Sequence, residues 1–304
     1  MTENKTLGIL KKRIFDALDE YSENDAQFVT NSNRKILERR LPDAVTSSLV
    51  RMYESLAVGK GRCTSKVYRP RLIFECRTIK KEGTQAYIDT AAVAVSFGFY
   101  GSGSLVIRNA DGDVVFSADC GGDGVKGFWR EFAEFANAGN YSIAATDGLE
   151  ITDLAIYENE VLPDVNSIPM RGYTSFQLPC DFGGFIAIEG DERLVLQVNM
   201  SEGARFAEIC DNLLEEKNEV CFEYKKKVPE ITGETQADFV FDLSPLAFEA
   251  LVCLSAAELC REEESAMYTR LLYKYSDLEQ GLYKSKYADV FKRNVFYKKG
   301  RRMR

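Results

Sequence analysis

Two runs of alternating apolar residues on either side of an Asp-Gly pair decide how the middle of the chain folds. The first run contains Ala92-Val-Ala-Val-Ser-Phe-Gly-Phe-Tyr100 and Ser104-Leu-Val-Ile-Arg108, and the second is Asp113-Val-Val-Phe-Ser-Ala118. Asp111-Gly112 lies between them, and this pair favours the tight turn of a β-hairpin. Further apolar runs follow at a spacing of about ten residues, separated by Gly and Asp. Residues 84–160 are therefore predicted to form an antiparallel β-sandwich resembling a jelly roll.

Helical patterns flank this β region on both sides. Apolar residues between Leu7 and Tyr21 recur at three- and four-residue steps, and a second helical face continues past Pro42. After Ser244, a residue suited to an N-cap, the run Leu246–Cys260 is almost wholly apolar and must be buried among other helices. The predicted fold class is α+β, with a helical bundle formed by N- and C-terminal helices and an inserted antiparallel β-sandwich or jelly-roll domain.

Four segments follow from these patterns. Residues 1–83 hold the N-terminal helices and the start of the core, and 84–160 form the inserted β domain. Residues 161–281 complete the core with strands and then helices, and 282–304 are a basic C-terminal tail. Within the third segment, Thr174–Leu178 and Phe185–Glu189 are predicted strands, whereas Arg205–Leu214 has a helical pattern.

The composition excludes most common catalytic and metal sites. The 304 residues include no histidine, which removes histidine general bases, Ser–His–Asp triads and zinc sites that need histidine. The eight cysteines contain no C-x-x-C pair. An even number of cysteines would allow disulfides in a small secreted chain, but the length and the N-terminal sequence favour free thiols in a reducing cytoplasm. We therefore expect no enzyme activity, no cofactor and no metal.

The charge is unevenly distributed along an acidic chain. The formal net charge is −8, which argues against a general nucleic-acid binder. Residues 282–304 nevertheless hold nine basic residues against Asp289 alone, and 59–81 hold eight against Glu75 alone. The first segment could bind an anionic partner or be merely solvated, whereas the second is expected to pair with the chain's own acids. No apolar run reaches the roughly 18 residues that a membrane span needs, so no membrane partner is expected.

Aromatic residues of the β region provide one candidate ligand surface. Trp129 and Tyr141 could stack against sugar rings, and Phe128, Phe132 and Phe135 lie close to them in the sequence. The same residues have a spacing that is typical of a sheet core. A glycan-binding, lectin-like phage or surface protein that acts through Trp129 and Tyr141 is therefore an alternative function.

Three stretches resemble the head–tail connector (adaptor, or neck) proteins of long-tailed bacteriophages. The first is Leu10-Lys-Lys-Arg-Ile-Phe-Asp-Ala-Leu-Asp-Glu-Tyr21, and the second is Tyr173-Thr-Ser-Phe-Gln-Leu-Pro-Cys-Asp-Phe182. The third and most specific runs from Glu223-Tyr-Lys-Lys-Lys-Val-Pro-Glu-Ile-Thr232 through Asp238-Phe-Val-Phe-Asp-Leu-Ser-Pro-Leu-Ala247 into the Ala-rich helix. The likeness covers roughly 5–58 and 170–282; the segment 84–160 departs from the simplest connectors.

The resemblance implies a structural virion protein made in the host cytoplasm and located in the head–tail neck. It implies a homo-oligomeric ring, usually dodecameric, that binds the portal protein and a tail-side neck or stopper protein. DNA would pass through its channel without sequence specificity. The resemblance also implies that the C-terminal segment reaches into the portal, where aromatic anchors and basic groups suit an acid-rimmed groove. The candidate docking residues are Tyr283, Tyr287, Phe291, Lys292, Arg293, Lys298, Lys299, Arg301, Arg302 and Arg304.

Overall fold

The chain divides into two compact units. A computed structural model describes residues 5–22, 27–55, 57–79, 83–146, 148–200, 203–214 and 217–299, with side chains except at 57, 122–124 and 284–299. Unit 1 comprises Met1–Gly61 and Lys225–Arg304, and unit 2 comprises Arg62–Tyr224. In sequence, unit 2 is thus an insertion into unit 1. The sequence predicted domain boundaries near 83/84 and 160/161. Unit 2 instead begins at Arg62 and ends at Tyr224, because strands on both sides of the predicted β domain also belong to it.

The described part of unit 1 contains four α-helices. Their bounds are α1 (Leu7–Glu20), α2 (Arg34–Ser55), α3 (Pro245–Cys260) and α4 (Ser265–Lys299). α3 contacts each of the other three, and their apolar faces share one hydrophobic core. α2 runs without interruption through Pro42, and the continuous helical face predicted there is confirmed. No helix in the described ranges has the length and apolarity needed to span a membrane. The connector-type helical bundle stays a prediction.

α3 is buried on all sides, as its sequence predicted. The hydroxyl of Ser244 accepts a hydrogen bond from the backbone N–H of Ala247 at 3.2 Å, which satisfies one of the free donors at the helix start. Pro245 occupies the first turn, where its missing N–H costs nothing. Ala250 and Ala256 are fully buried, and such small side chains let neighbouring helices approach closely. The predicted N-cap and the predicted burial are both confirmed.

Unit 2 is formed by two antiparallel sheets. The first sheet has the order β2–β7–β4–β6–β3, with β5 also paired to β4, and the second has the order β10–β11–β8–β1–β12–β9. The strand bounds are β1 (Lys60–Tyr68), β2 (Leu72–Ile79), β3 (Thr84–Ile88), β4 (Ala92–Arg108), β5 (Val114–Glu134), β6 (Gly139–Ala145), β7 (Leu149–Glu158), β8 (Tyr173–Gln177), β9 (Phe182–Ile188), β10 (Val198–Asn199), β11 (Phe206–Cys210) and β12 (Glu219–Lys226). The antiparallel architecture fits the predicted β-sandwich or jelly-roll type.

The predicted hairpin is present, with longer strands than the sequence suggested. β4 and β5 form one long antiparallel pair, and the chain turns between Arg108 and Val114. Gly112 has φ +89°, a conformation that glycine adopts without steric cost. The two runs before the turn form a single strand, in which Gly101 pairs with Leu149 of β7 and Gly103 pairs with Cys120 of β5.

The helix predicted over Arg205–Leu214 is wrong. Residues Phe206–Cys210 instead form β11, which pairs with β8 on one side and β10 on the other, and a short 3-10 turn follows at Asp211–Leu213. Burial overrides the local pattern here. Ala207 and Ile209 pack into the core of the second sheet, while Phe206 packs in a separate cluster with Tyr68. β11 is buried on both faces, so its apolar residues do not alternate cleanly along the strand.

Candidate functional site

Unit 2 contains a cleft of about 1020 Å³. Its walls come from β5, the bulge of β7, the loop before β8, and the β10–β11 hairpin. The lining residues are Phe128, Arg130, Asp153, Asn166, Met170, Arg171, Tyr173, Val198, Asn199, Met200, Gly203, Ala204, Arg205, Phe206 and Glu208. We call this concavity the inter-sheet cleft, because the first sheet supplies Phe128 and Arg130 and the second supplies Phe206 and Glu208.

A buried ion pair crosses the inter-sheet cleft. One carboxylate oxygen of Glu208 lies 3.0 Å from a guanidinium nitrogen of Arg130. The other oxygen accepts a hydrogen bond from the backbone N–H of Met170 at 2.8 Å. The Glu208 side chain is only 11% exposed and that of Arg130 is 25% exposed. Both oxygens of Glu208 are therefore engaged, and the pair holds β5, β11 and the loop at Met170 in one arrangement.

Burial changes the acidity of Glu208. Its pKa is raised above the usual range because loss of water disfavours the charged form, and this effect outweighs the opposing effects of Arg130 and the Met170 N–H. A carboxyl group with a raised pKa is also found in general acids. Catalysis would need a second reacting group aligned with it. The described residues show no nucleophile hydrogen-bonded to Glu208, whose partners are Arg130 and Met170.

A second guanidinium group is held at another wall of the inter-sheet cleft. Arg171 lies 2.6 Å from a carboxylate oxygen of Glu75 and 3.4 Å from one of Asp153. Asp153 has a left-handed backbone conformation, with φ +50°, at the point where β7 shifts register against β4. Such a bulge redirects a side chain out of the regular ladder. The bulge thus brings a carboxylate to Arg171, and two acids fix the orientation of this guanidinium group.

Alternation along β5 separates the aromatic residues onto two faces. Phe128 is 68% exposed and lines the inter-sheet cleft, as does Arg130 two residues later. Trp129 is on the opposite face, where it is partly buried and stacks on Phe97 with ring centroids 6.3 Å apart. The period-two pattern of residues 127–135 could have identified Phe128 and Arg130 as neighbours on one face. Nothing local in the sequence connects them with Glu208.

The structure corrects the candidate glycan contact at Tyr141. This residue is 3% exposed, its ring stacks on Phe135 at 4.9 Å, and its hydroxyl donates to the backbone carbonyl of Asn137. A ligand in solvent cannot stack on a ring that is already covered. Tyr141 therefore belongs to the core of the first sheet, and the partly buried Trp129 packs against that core. Phe128 is the most exposed of the five aromatic residues that the sequence singled out in this region.

The candidate docking residues lie on or beyond the end of α4. The Tyr283 hydroxyl donates to the backbone carbonyl of Ser55 at 2.6 Å, and the residue is 39% exposed. Tyr287, Phe291, Lys292, Arg293, Lys298 and Lys299 lie within the bounds of α4, but their side chains are outside the described part. Arg301, Arg302 and Arg304 lie outside the described residues altogether. The docking role of all ten stays a prediction.

Among the described residues, no group of three or more Cys, Asp or Glu is arranged to hold a metal ion. Two cysteines of α3 are buried in an apolar core, and burial raises the pKa of Cys253 to about 11 and that of Cys260 to about 12. Both thiols are therefore protonated at neutral pH, which makes them poor nucleophiles. Cys253 and Cys260 pack in the hydrophobic core of unit 1 like other small apolar side chains.

A second, shallower groove of about 810 Å³ runs along α2 in unit 1. It lies between α2 and the segment 230–233, which is hydrogen-bonded to Thr46 of α2. The Thr46 hydroxyl accepts from the backbone N–H of Ile231 at 3.1 Å and donates to its carbonyl at 3.2 Å. This groove has a charged wall, with Lys35 and Asp43 among its residues.

No family model matches this chain, and no curated protein sequence matches it. Among solved structures, it is similar to a carbohydrate-binding module from Cellvibrio mixtus lichenase 5A in complex with cellotriose. The identity is 17% over 35% of this chain and 94% of the module, with a TM-score of 0.22. It is also similar to VP2 of infectious bursal disease virus, at 7% identity over 73% of this chain and 54% of VP2, with a TM-score of 0.18. Scores this low do not establish a shared fold.

Proposed function

We propose that this chain is a structural subunit of a bacteriophage neck, a connector that joins the portal to the tail. In this proposal, unit 1 forms the ring around the DNA channel, and unit 2 is an addition to that ring. The basic segment at the end of α4 docks on the portal. The chain acts by assembly and carries out no reaction.

One observation supports this proposal most directly: the residues just before the first resembling stretch contact the third resembling stretch, far away in sequence, in unit 1. The backbone N–H of Leu7, at the start of α1, donates to the carbonyl of Phe239 at 2.9 Å, and that of Gly8 donates to Ala237 at 2.8 Å. The N–H of Phe241 donates back to the carbonyl of Lys5 at 2.9 Å. The start of α1 and the segment before α3 are thus joined by backbone hydrogen bonds. The stretch Tyr173–Phe182 lies in unit 2.

The position of the basic segment also supports a docking role. The buried part of α4 includes Met267, Leu271 and Tyr275, and Leu282 is the last apolar residue among the described side chains that packs against the core of unit 1. Nine basic residues follow Leu282 in the sequence, in a chain whose net charge is −8. Such a run of positive charge can attract a partner with an acidic surface.

Antibody labelling of intact particles tests the proposed location. Gold-labelled antibodies raised against unit 2 should bind at the single tail-bearing vertex. Label at the distal end of the tail would contradict the connector role and would favour a receptor-binding protein. Absence of label on particles whose other antigens are detected would contradict a virion location. Mass photometry of the purified full chain, alone and with the portal protein of the same particle, tests ring formation independently.

A further inference from the structure

The inter-sheet cleft contains exposed apolar side chains that the fold of unit 2 does not use. Phe128 is 68% exposed and Met200 is 44% exposed, and both line the cleft. The Phe128 ring lies over the neighbouring strand at Gly98, where a Cβ atom would stand 3.8 Å from the ring carbon Cδ1. Large apolar side chains that converge on one concavity are typical of a ligand site.

The polar groups around Phe128 are held in place before any ligand arrives. Arg130 is paired with Glu208, which the Met170 N–H also holds, and Arg171 is held by Glu75 and Asp153. These guanidinium groups have little freedom to lose on binding. Preorganised polar groups beside an apolar platform give both affinity and orientation.

The lining combines donors and acceptors around a single aromatic ring. Arg205 is exposed at the rim, and within the described ranges it has no acidic partner. Asn166 and Asn199 each offer an amide that both donates and accepts, and Tyr173 adds a hydroxyl. Sugar hydroxyls also donate and accept at once. The C–H face of a sugar ring is apolar and packs on the electron-rich face of an aromatic side chain.

Two other ligand classes fit this cleft less well. An extended peptide would have to add to the strand at that edge of the second sheet, but β10 is only two residues long and offers almost no ladder. Nucleic acid would need cations for its phosphates, but Arg130 and Arg171 are already paired with acids, and Arg205 is the one arginine of the described lining without an acidic partner. A compact, hydroxyl-rich ligand avoids both difficulties.

We propose that the inter-sheet cleft of unit 2 binds a saccharide, with one sugar ring packed on Phe128 and its hydroxyls bonded to Arg205 and to the amides at the rim. This site differs from the Trp129 and Tyr141 surface suggested by the sequence. It is independent of the connector proposal, because a neck protein could carry a glycan-binding unit and a glycan-binding protein need not form a neck.

A glycan array followed by calorimetry tests the saccharide site. The full chain is applied to an array of neutral, acidic and amino-sugar oligosaccharides, and the best-bound oligosaccharide is titrated by calorimetry. Phe128→Ala should weaken that binding by about tenfold or more, as truncation of a central aromatic anchor does. Arg205→Ala should weaken it as well. Neither side chain is buried, so both variants should keep the melting temperature of the wild type.

Tyr87→Ala is the matched control, because Tyr87 is 62% exposed and lies on β3 of the same sheet but not in the cleft. Unchanged affinity in this control together with a loss in Phe128→Ala would support the site. Equal affinity in Phe128→Ala and the wild type would overturn it. Binding to no oligosaccharide on the array, or binding to a peptide array alone, would also overturn it. None of these results depends on whether the chain is found in the neck.

Discussion

The carboxylate of Glu208 on β11 lies 3.0 Å from the guanidinium group of Arg130 on β5, and this pair joins the two sheets of unit 2. The two residues are far apart in sequence and belong to sheets with largely separate cores. The pair stands in the wall of the inter-sheet cleft. Loss of this ion pair should therefore change both the stability of unit 2 and the shape of the proposed ligand site.

Removal of one partner of this pair should cost more than removal of both. Arg130→Met leaves the buried Glu208 carboxylate without its cation, and we expect a loss of about 2–3 kcal/mol in the free energy of unfolding. The double variant Arg130→Met with Glu208→Leu should recover part of that loss, because no charge is then left buried. Urea unfolding of the two single variants and the double variant measures the coupling. Strictly additive losses would contradict an interaction between the two side chains.

The raised pKa of Glu208 predicts a pH dependence of stability. Between the ordinary carboxyl pKa and the raised one, the folded state binds more protons than the unfolded state, so stability falls as pH rises through that window. Glu208→Gln removes this titration and keeps an acceptor for the Met170 N–H. The melting temperature of the wild type relative to Glu208→Gln should therefore fall between pH 4 and pH 7. A difference that rises over this range would mean that the pair with Arg130 lowers the pKa.

Gly101 should tolerate no side chain. It has φ +95°, and a Cβ atom there would stand 2.1 Å from the backbone oxygen of Gly148. Gly101→Ala is expected to destabilise the chain by about 3 kcal/mol or more, because strain and a backbone clash combine. Gly112→Ala is the matched control: its φ is +89° but nothing lies within 4 Å. That variant should lose only about 1 kcal/mol, the cost of the backbone conformation. Similar losses in both variants would show that the clash is relieved.

Charge at the end of the chain should control portal binding. Replacement of Arg293, Arg301 and Arg302 by Gln is expected to weaken binding to the portal protein by about tenfold or more, with the melting temperature unchanged. The control removes equal charge elsewhere in unit 1 by replacing the exposed residues Lys12, Lys60 and Arg270 with Gln. Surface plasmon resonance compares the two triple variants. Equal binding by both would contradict a specific docking role for the segment.

Cysteine reactivity should separate exposed from buried thiols. Cys180 is exposed, whereas Cys253 and Cys260 are buried with raised pKa values. At pH 8, iodoacetamide should modify Cys180 in the folded chain and leave the two α3 cysteines intact until urea unfolds unit 1. Peptide mass spectrometry over time follows each site. Early modification of Cys253 or Cys260 would mean that α3 opens readily to solvent.

Local chemistry was enough to predict several elements of this fold. The Asp111-Gly112 turn forms because glycine accepts the positive φ that the hairpin needs. α3 begins where Ser244 and Pro245 satisfy the first turn, and its apolar run can only be buried. These features depend on residues within a few positions of each other, so they are readable without knowledge of the rest of the chain.

Long-range packing decided what the sequence pattern did not. Phe206–Cys210 looks helical in isolation but becomes a strand because β8 and β10 pair with its two edges. Tyr141 resembles a surface aromatic residue, yet Phe135 covers its ring. The sequence alone determined the antiparallel, β-rich middle, the flanking helices and the absence of histidine chemistry. Only the tertiary structure brought Arg130 to Glu208 and left Phe128 exposed, because contacts between distant strands depend on register and sheet order, which no local pattern encodes.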